Sequence, residues 1–490
     1  MLHPSRNVFA VALALSVSFA AACSGASSPG SGRPEKAQQW FVRAEKEFGE
    51  ARVDDAHDAI VKALAIAPQD QEIKTLGGRI ALARLEFDES LRLLSDIPGT
   101  EGHALRGRAY WYLGNLTPAA DEFEAMLDDP EVKDDWAKAV AGLARRGAGR
   151  TPFTLSGDPR AAVDMAHVSD VAPYLVVQVE IDGEEVLAML ATGMAEVVVD
   201  SSSRAEPSWV SLKFKGRAIT PGAKQDVIEV TDVPALTQDL TGVSKEVNAP
   251  IKALLGANLL RQLNPTLDYG GHQFIVRQSS PQPPPSATRL GLFYARGGGM
   301  VVSSGLGAGD DSRGTLFVDS SMRFPLALDE RGWIKAGVTP SDLTPIPGDP
   351  SNKLREGIVP LLKLGAFDLQ RIPGVLGAPV AEIEKGLRFD VDGIVGAPVL
   401  AHYRITFSDG GRALYLEDDS ELRRIIQAGP GAAGPEGPGG GFTPGGSRGG
   451  PIDPGALPRP LGPQNEGQAP PRSAPQGVAP PGAKPPGAKP

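Results

Sequence analysis

One strand pattern is written twice between Tyr174 and Asp418, and that doubling limits the possible folds more than any other feature of the chain. In the first copy an apolar run from Val176 to Ile181 ends at Asp182-Gly183, a dipeptide suited to a two-residue hairpin turn. Val186 to Leu190 follows, then a loop tip at Ala191-Thr192-Gly193, then Val197-Val198-Val199-Asp200. Leu254-Leu255-Gly256 and Pro265-Thr266-Leu267-Asp268-Tyr269 complete it. The second copy runs through Met300 to Ser304, a loop around Asp310 to Gly314, and Leu316 to Val318 to a tip at Asp319-Ser320-Ser321. Pro325 to Asp329, Ile394-Val395-Gly396 and Tyr403 to Phe407 follow in the same order, and Asp200 and Asp329 fall at similar distances after the two tips. A Pro-rich break from Gln278 to Ser286 separates the copies. Apolar runs bounded by turn residues read as buried strands. The expectation is a mainly-β body of two like lobes, with an unrelated sandwich or barrel of similar strands as the alternative.

The order of these segments, repeated twice, resembles aspartic proteases of the retropepsin type, here with both lobes in one chain. The resemblance covers residues 174–418. In that family each lobe supplies one Asp-Thr/Ser-Gly loop, and an apolar-apolar-Gly segment crosses behind it. Leu254-Leu255-Gly256 and Ile394-Val395-Gly396 match that segment. The resemblance implies a chemistry of two carboxylates about 3 Å apart that share one proton, one acting as base on water and the other as acid toward the peptide carbonyl. Carried over residue by residue, the first Asp falls on Ala191 and is absent, and the second falls on Asp319. A methyl group can neither hold nor share a proton. Thr192 and Ser320 keep the hydroxyls that brace the loops in the family; Gly193 keeps the permissive backbone and Ser321 does not. The implied outcome is loss of proteolysis with a binding cleft retained around Ala191, Thr192, Gly193, Asp319, Ser320 and Ser321. Asp319 reads equally well as a solvated loop carboxylate. An active endopeptidase would need a second carboxylate for Asp319, from Asp182, Glu196 or a neighbouring subunit.

Upstream, the periodicity is helical. Residues 35–150 are rich in Ala, Leu, Glu and Lys, with apolar residues at helical spacing and a repeat of about 34 residues. The units run Ala44 to Pro68, Gly78 to Pro98 and Gly107 to Pro130, each with small residues where paired helices would meet, a large apolar residue opposite, and a closing Pro. They resemble tetratricopeptide repeats, which implies a groove that takes a helix or an extended peptide. An unspecialised array of helical hairpins is the alternative. Tyr110, Trp111 and Tyr112 read as helix-packing residues.

The N-terminus carries Arg6, an apolar run from Val8 to Ala20 and then Ala21-Ala22-Cys23. The run is too short to span a bilayer and reads as a signal segment. Cys23 is the only cysteine of the chain, and its place after small residues resembles a bacterial lipoprotein signal. That resemblance implies residues 1–22 as signal peptide, Cys23 as the lipidated residue of a tether over 23–34, and an exported protein on the cell envelope; Ser24 points to the outer membrane. Ordinary signal cleavage is the alternative. A formal net charge of -10 argues against a nucleic-acid partner, because phosphate neutralisation needs clustered Lys and Arg. The six His residues show no ligand spacing, so neither a metal nor a cofactor is expected. Gly305 to Gly309 precedes no helix pattern, and Gly445-Gly446-Ser447-Arg448-Gly449 lies in a Pro/Gly-rich stretch, so nucleotide and Ser-nucleophile motifs are set aside.

The expected architecture is multidomain. An all-α tetratricopeptide-like repeat (35–150) precedes a mainly-β aspartic-protease-like domain with lobes at 171–278 and 290–418 and a linker at 279–289. A disordered tail covers 428–490, where little apolar material is available to bury. The expected function is a non-catalytic scaffold for a protein or peptide partner, held at the membrane by its lipid anchor.

Overall fold

The computed structural model describes residues 32–169, 172–218, 224–295, 298–309, 312–347, 353–387 and 389–418. The signal segment, Cys23 and the tail at 428–490 lie outside the described residues.

Among the described residues seven helices come first: α1 (Glu35–Gly49), α2 (Val53–Ile66), α3 (Gln71–Ala83), α4 (Phe87–Leu94), α5 (Gly99–Leu113), α6 (Leu116–Leu127) and α7 (Asp135–Arg146). Each packs on the next, and α1 on α3 and α3 on α5 form the second tier expected of stacked hairpins. Asp70 and Asp134 cap α3 and α7 by accepting hydrogen bonds from backbone N–H groups of the first turn. Gly114 ends α5 in the left-handed region, at φ 79°. The small-against-large rule of the repeat is met atom by atom. A Cβ on Gly78 would lie 2.5 Å from Leu94, and one on Gly107 would lie 2.9 Å from the Phe123 ring.

The β region is built as two rings with one connectivity. In the first, Glu184–Ala191 pairs parallel with Ile251–Gly256, which pairs antiparallel with Val197–Asp200, which pairs parallel with Val227–Gln238. Ser208–Lys215 and Val176–Ile181 close the ring back to Glu184–Ala191. In the second, Arg313–Asp319 pairs parallel with Gly393–Gly396, which pairs antiparallel with Leu326–Leu328, which pairs parallel with Phe367–Leu376. Arg355–Leu364 and Gly299–Gly305 close it. From Gly299–Gly305 the sheet of the second ring continues and joins the lobes, in the order Thr288–Ala295, Ala413–Asp418, Tyr403–Ser408, Thr266–Asp268, Gln273–Arg277, Arg160–Asp164. The centre of this joining stretch pairs Thr266 with Thr406, whose buried hydroxyls are 2.9 Å apart. Two strands, Thr154–Gly157 and Arg160–Asp164, lie upstream of residue 171, in a stretch whose sequence shows no strand pattern beyond four residues.

The expected hairpin turn is present, with Asp182 and Gly183 both at positive φ (49° and 93°), the geometry an Asp-Gly pair favours. The strands carrying the loop tips are buried on both faces. Leu190 and Val318 point into the apolar core of the rings. Met189 and Ala191 join a cluster with Trp111, Leu116 and Phe123 of the helices, while Phe317 and Ile394 join one with Phe41, Phe48 and Ile80. Helices α5–α7 thus pack on the first lobe and α1–α3 on the second.

The joint among the three parts is polar at its centre. Arg261 is buried, and its guanidinium lies 5.8, 5.7 and 5.2 Å from the rings of Phe87, Tyr112 and Tyr294, which belong to the helices and the second lobe. Burial pushes its pKa down from the usual Arg value. Phe48 meets Phe389 edge-on at 5.8 Å, and the Gly49 carbonyl accepts a hydrogen bond from the Asp390 N–H. Trp111 and Trp209 lie 6.4 Å apart, and Trp209 donates to the Leu143 carbonyl. The aromatic run at 110–112 therefore packs helices as read, and also docks them on the β body.

Phe123 is 1% exposed and fills the gap at Gly107. Truncation to Ala is expected to cost about 3–5 kcal/mol, read as a shift in the urea midpoint of the helical signal; a change below 1 kcal/mol would contradict that packing.

Candidate functional site

Each loop tip begins where its strand reaches a glycine of the strand beside it. Ala191 is paired with Gly256 and Asp319 with Gly396. These glycines are required by close approach. A Cβ on Gly256 would sit 2.2 Å from the Glu196 carbonyl oxygen, and one on Gly396 would sit 2.1 Å from that of Phe324. The chain returning from each tip crosses over the glycine of the apolar-apolar-Gly segment, which explains the residue type there.

The two tips face each other and are tied by four hydrogen bonds in a crossed brace. The Thr192 hydroxyl donates to the Val318 carbonyl at 3.0 Å and accepts from the Ser320 N–H at 2.9 Å. The Ser320 hydroxyl donates to the Leu190 carbonyl at 2.7 Å and accepts from the Thr192 N–H at 3.1 Å. Thr192 and Ser320 are 1% and 0% exposed, so each of these groups would be unsatisfied without the other loop.

Asp319 is 6% exposed, so it is a buried group and not a solvated loop carboxylate. Its Oδ1 accepts from the Ser321 N–H at 2.8 Å and the Ser321 hydroxyl at 2.5 Å. Among the described residues no group donates to Oδ2. Burial pushes the carboxyl above the usual Asp value, and the two Ser321 bonds pull it back in part. Gly193 lies against it: an added Cβ would come within 2.8 Å of the Asp319 Cγ. Backbone freedom is not what requires a glycine at 193, because neither Gly193 nor Ser321 has positive φ. Gly193 provides clearance for the carboxyl, and Ser321 provides two donors to it.

Ala191 is fully buried and offers no polar atom. The two candidate partners for Asp319 are committed elsewhere. Asp182 accepts from the Ser211 N–H at 2.7 Å and pairs with Arg204. Glu196, 3% exposed, accepts from Trp111 Nε1 at 3.3 Å and Asn258 Nδ2 at 3.2 Å, and burial raises its pKa. It ties the loop that follows Ala191 to α5.

A carboxylate that the sequence did not single out lines the same cavity as Asp319. Glu246 accepts from the Tyr174 hydroxyl at 3.1 Å at the rim of a cavity whose floor includes Asp319. Partial withdrawal from water pushes Glu246 up, and the charge of Asp319 adds to that shift. The cavity, about 110 Å³, is lined by both lobes, with Met189, Met194 and Leu254 from one and Met322, Phe324 and Ile394 from the other. Nothing in the spacing of Glu246 or Tyr174 marks them; the ring closure brings them to the tip.

Three histidines that are scattered in sequence also converge. His167, His272 and His402 line a second cavity of about 370 Å³ with Tyr269 and Pro398. Among the described residues no group of three or more His, Cys, Asp or Glu is arranged to hold a metal ion, and no helix there is long and apolar enough to cross a membrane.

No family model and no curated protein matches the chain. Among solved structures it is similar to the Arabidopsis OM64 TPR domain, at 16% identity and TM-score 0.21, over 23% of this chain and 96% of that one. It is similar to a retropepsin-like aspartic protease from Rickettsia conorii, at 14% identity and TM-score 0.20, over 28% and 94%. Basic 7S globulin from soybean covers 54% of this chain and 95% of its own, at 11% identity and TM-score 0.35. Likenesses of this strength concern fold only, and the account of the site rests on the chain's own pairing and hydrogen bonds.

Two expectations follow for the site. Thr192→Val keeps shape but leaves the buried Ser320 N–H and Val318 carbonyl without partners, so a loss of about 2–4 kcal/mol is expected in urea denaturation, together with faster exchange of the Ser320 amide. The second concerns pH. A carboxyl with a raised folded-state pKa binds its proton more tightly in the folded chain, so its contribution to stability falls as pH rises from the ordinary value near 3.9 through the raised one. Asp319→Asn cannot ionise, and its Tm is expected to exceed that of the unsubstituted protein at pH 7, with the gap closing toward pH 4. A gap that widens on acidification would contradict the burial.

Proposed function

We propose that the chain is a non-catalytic protein- or peptide-binding scaffold on a pseudo-aspartic-protease body, joined to a tetratricopeptide-like array and held at the cell envelope as a lipoprotein. The observation that carries the reading is Ala191 facing Asp319 across an intact crossed brace. The brace and its supporting glycines are kept, which preserves a cleft between lobes, while the pair of carboxyls that would share a proton is reduced to one. Among the described residues the Asp319 carboxyl is hydrogen-bonded by Ser321 alone, and Glu246 in the same cavity is bonded to Tyr174, so no hydrogen bond links a second carboxyl to Asp319. The cleft suits an extended segment, and the helical array offers a second surface for a helix or peptide. Lipidation at Cys23 would anchor both on the outer membrane, facing an exported partner.

Purified protein incubated with a mixed peptide library between pH 3 and 7 is expected to give no cleavage above that of Asp319→Ala. Acid-optimum cleavage abolished by Asp319→Ala would establish the alternative, an active endopeptidase with a non-standard second carboxylate. For the anchor, Cys23→Ser is expected to move the protein from the membrane fraction to the soluble one; unchanged membrane association would remove the lipoprotein assignment.

A further inference from the structure

We propose that the inter-lobe cavity binds a cationic group on an aliphatic stem, as the lysine side chain of an extended peptide presents it, with the ammonium seated against Asp319 at the floor and the stem passing Glu246 at the rim. This rests on the reading of the cleft as a binding site and specifies its ligand.

Asp319 is 6% exposed and lines the cavity, and its Oδ2 accepts no hydrogen bond from a described residue. A carboxylate that is largely withdrawn from solvent and has no ion pair among the described residues gains when a cation arrives or a proton is taken up. Glu246 adds a second carboxylate at the rim, held in place by the Tyr174 hydroxyl at 3.1 Å. Arg323 also lines the cavity: its guanidinium lies over the Phe324 ring, 4.7 Å from the centroid, and its charge acts on Glu246, partly offsetting the upward shift of that carboxyl, while among the described residues it forms no ion pair with Asp319. Between floor and rim the wall is apolar, and Met189, Met194 and Met322 supply flexible, polarizable contacts that adapt to an unbranched stem. A volume near 110 Å³ has room for a four-carbon chain. An acid at the floor, a second at the rim and an apolar wall between them match an alkylammonium in both charge and shape. An alcohol of the same length offers shape only.

The test uses the full-length protein with 13C-methyl-labelled methionine, titrated at pH 7 with n-butylammonium and separately with 1-butanol. The shifts of Met189, Met194 and Met322 report the cavity, and the other methionines serve as controls. Butylammonium is expected to bind at least tenfold more tightly than butanol. Asp319→Asn is expected to remove at least tenfold of the butylammonium affinity and leave butanol unchanged. Glu246→Gln, at the rim and less coupled to the fold, is expected to lower it about threefold. Equal affinities for the two probes, or an Asp319→Asn protein that binds butylammonium as the parent does, would overturn the proposal while leaving the cleft as a binding site for apolar groups. No shift of the three methyls with either probe would overturn the cleft reading as well.

Discussion

The crossed brace between Thr192 and Ser320 is the contact on which the arrangement of the β body depends. Each hydroxyl donates to the carbonyl before the opposite tip and accepts from an amide of that tip. Neither loop can satisfy its own buried groups, so the lobes are locked in one mutual position at that point. The joining sheet repeats the lock at a distance, through the paired hydroxyls of Thr266 and Thr406. Asp319 is positioned as a consequence: its strand is tied to Gly396, its tip to Thr192, and its carboxyl is walled by Gly193 and held by Ser321.

The helical array takes part in this geometry. Trp111 reaches Glu196 in the loop that follows Ala191, and Arg261 links Phe87 and Tyr112 of the helices to Tyr294 of the second lobe. The same helices that would present a peptide-binding groove are therefore built into the support of the cleft. Buried polar links of this kind are costly when one partner is lost, and they fix the relative placement of parts that apolar contact alone would leave free to slide.

Much of this frame is legible in the sequence because it comes from local chemistry. Asp182-Gly183 specifies its turn, the apolar-apolar-Gly segments specify a close crossing, and the alternation of small and large residues at Gly78, Leu94, Gly107 and Phe123 specifies how helices pair. The residues that sequence could not mark depend on closure of the rings. Glu246 and Tyr174 are 72 positions apart and meet only at the cavity rim, and the histidines at 167, 272 and 402 meet because the lobes do. The strands at Thr154–Gly157 and Arg160–Asp164 are short, and their partners, Val227–Gln238 and Gln273–Arg277, lie far along the chain. Ser321 breaks the expected Gly pattern, yet its two hydrogen bonds to Asp319 give a side chain at that position a physical purpose.

Asp319 is a buried carboxyl in a braced inter-lobe cleft, and among the described residues no second carboxyl is hydrogen-bonded to it. Its ionisation can be followed directly through the 13C shift of the labelled carboxyl, assigned by difference with Asp319→Asn. A single titration step displaced above the ordinary Asp value near 3.9 is the expected result. Two coupled steps would reveal a second carboxylate sharing its proton, and a step at or below the ordinary value would place the group in water; either would contradict a buried carboxyl with no second carboxyl bonded to it.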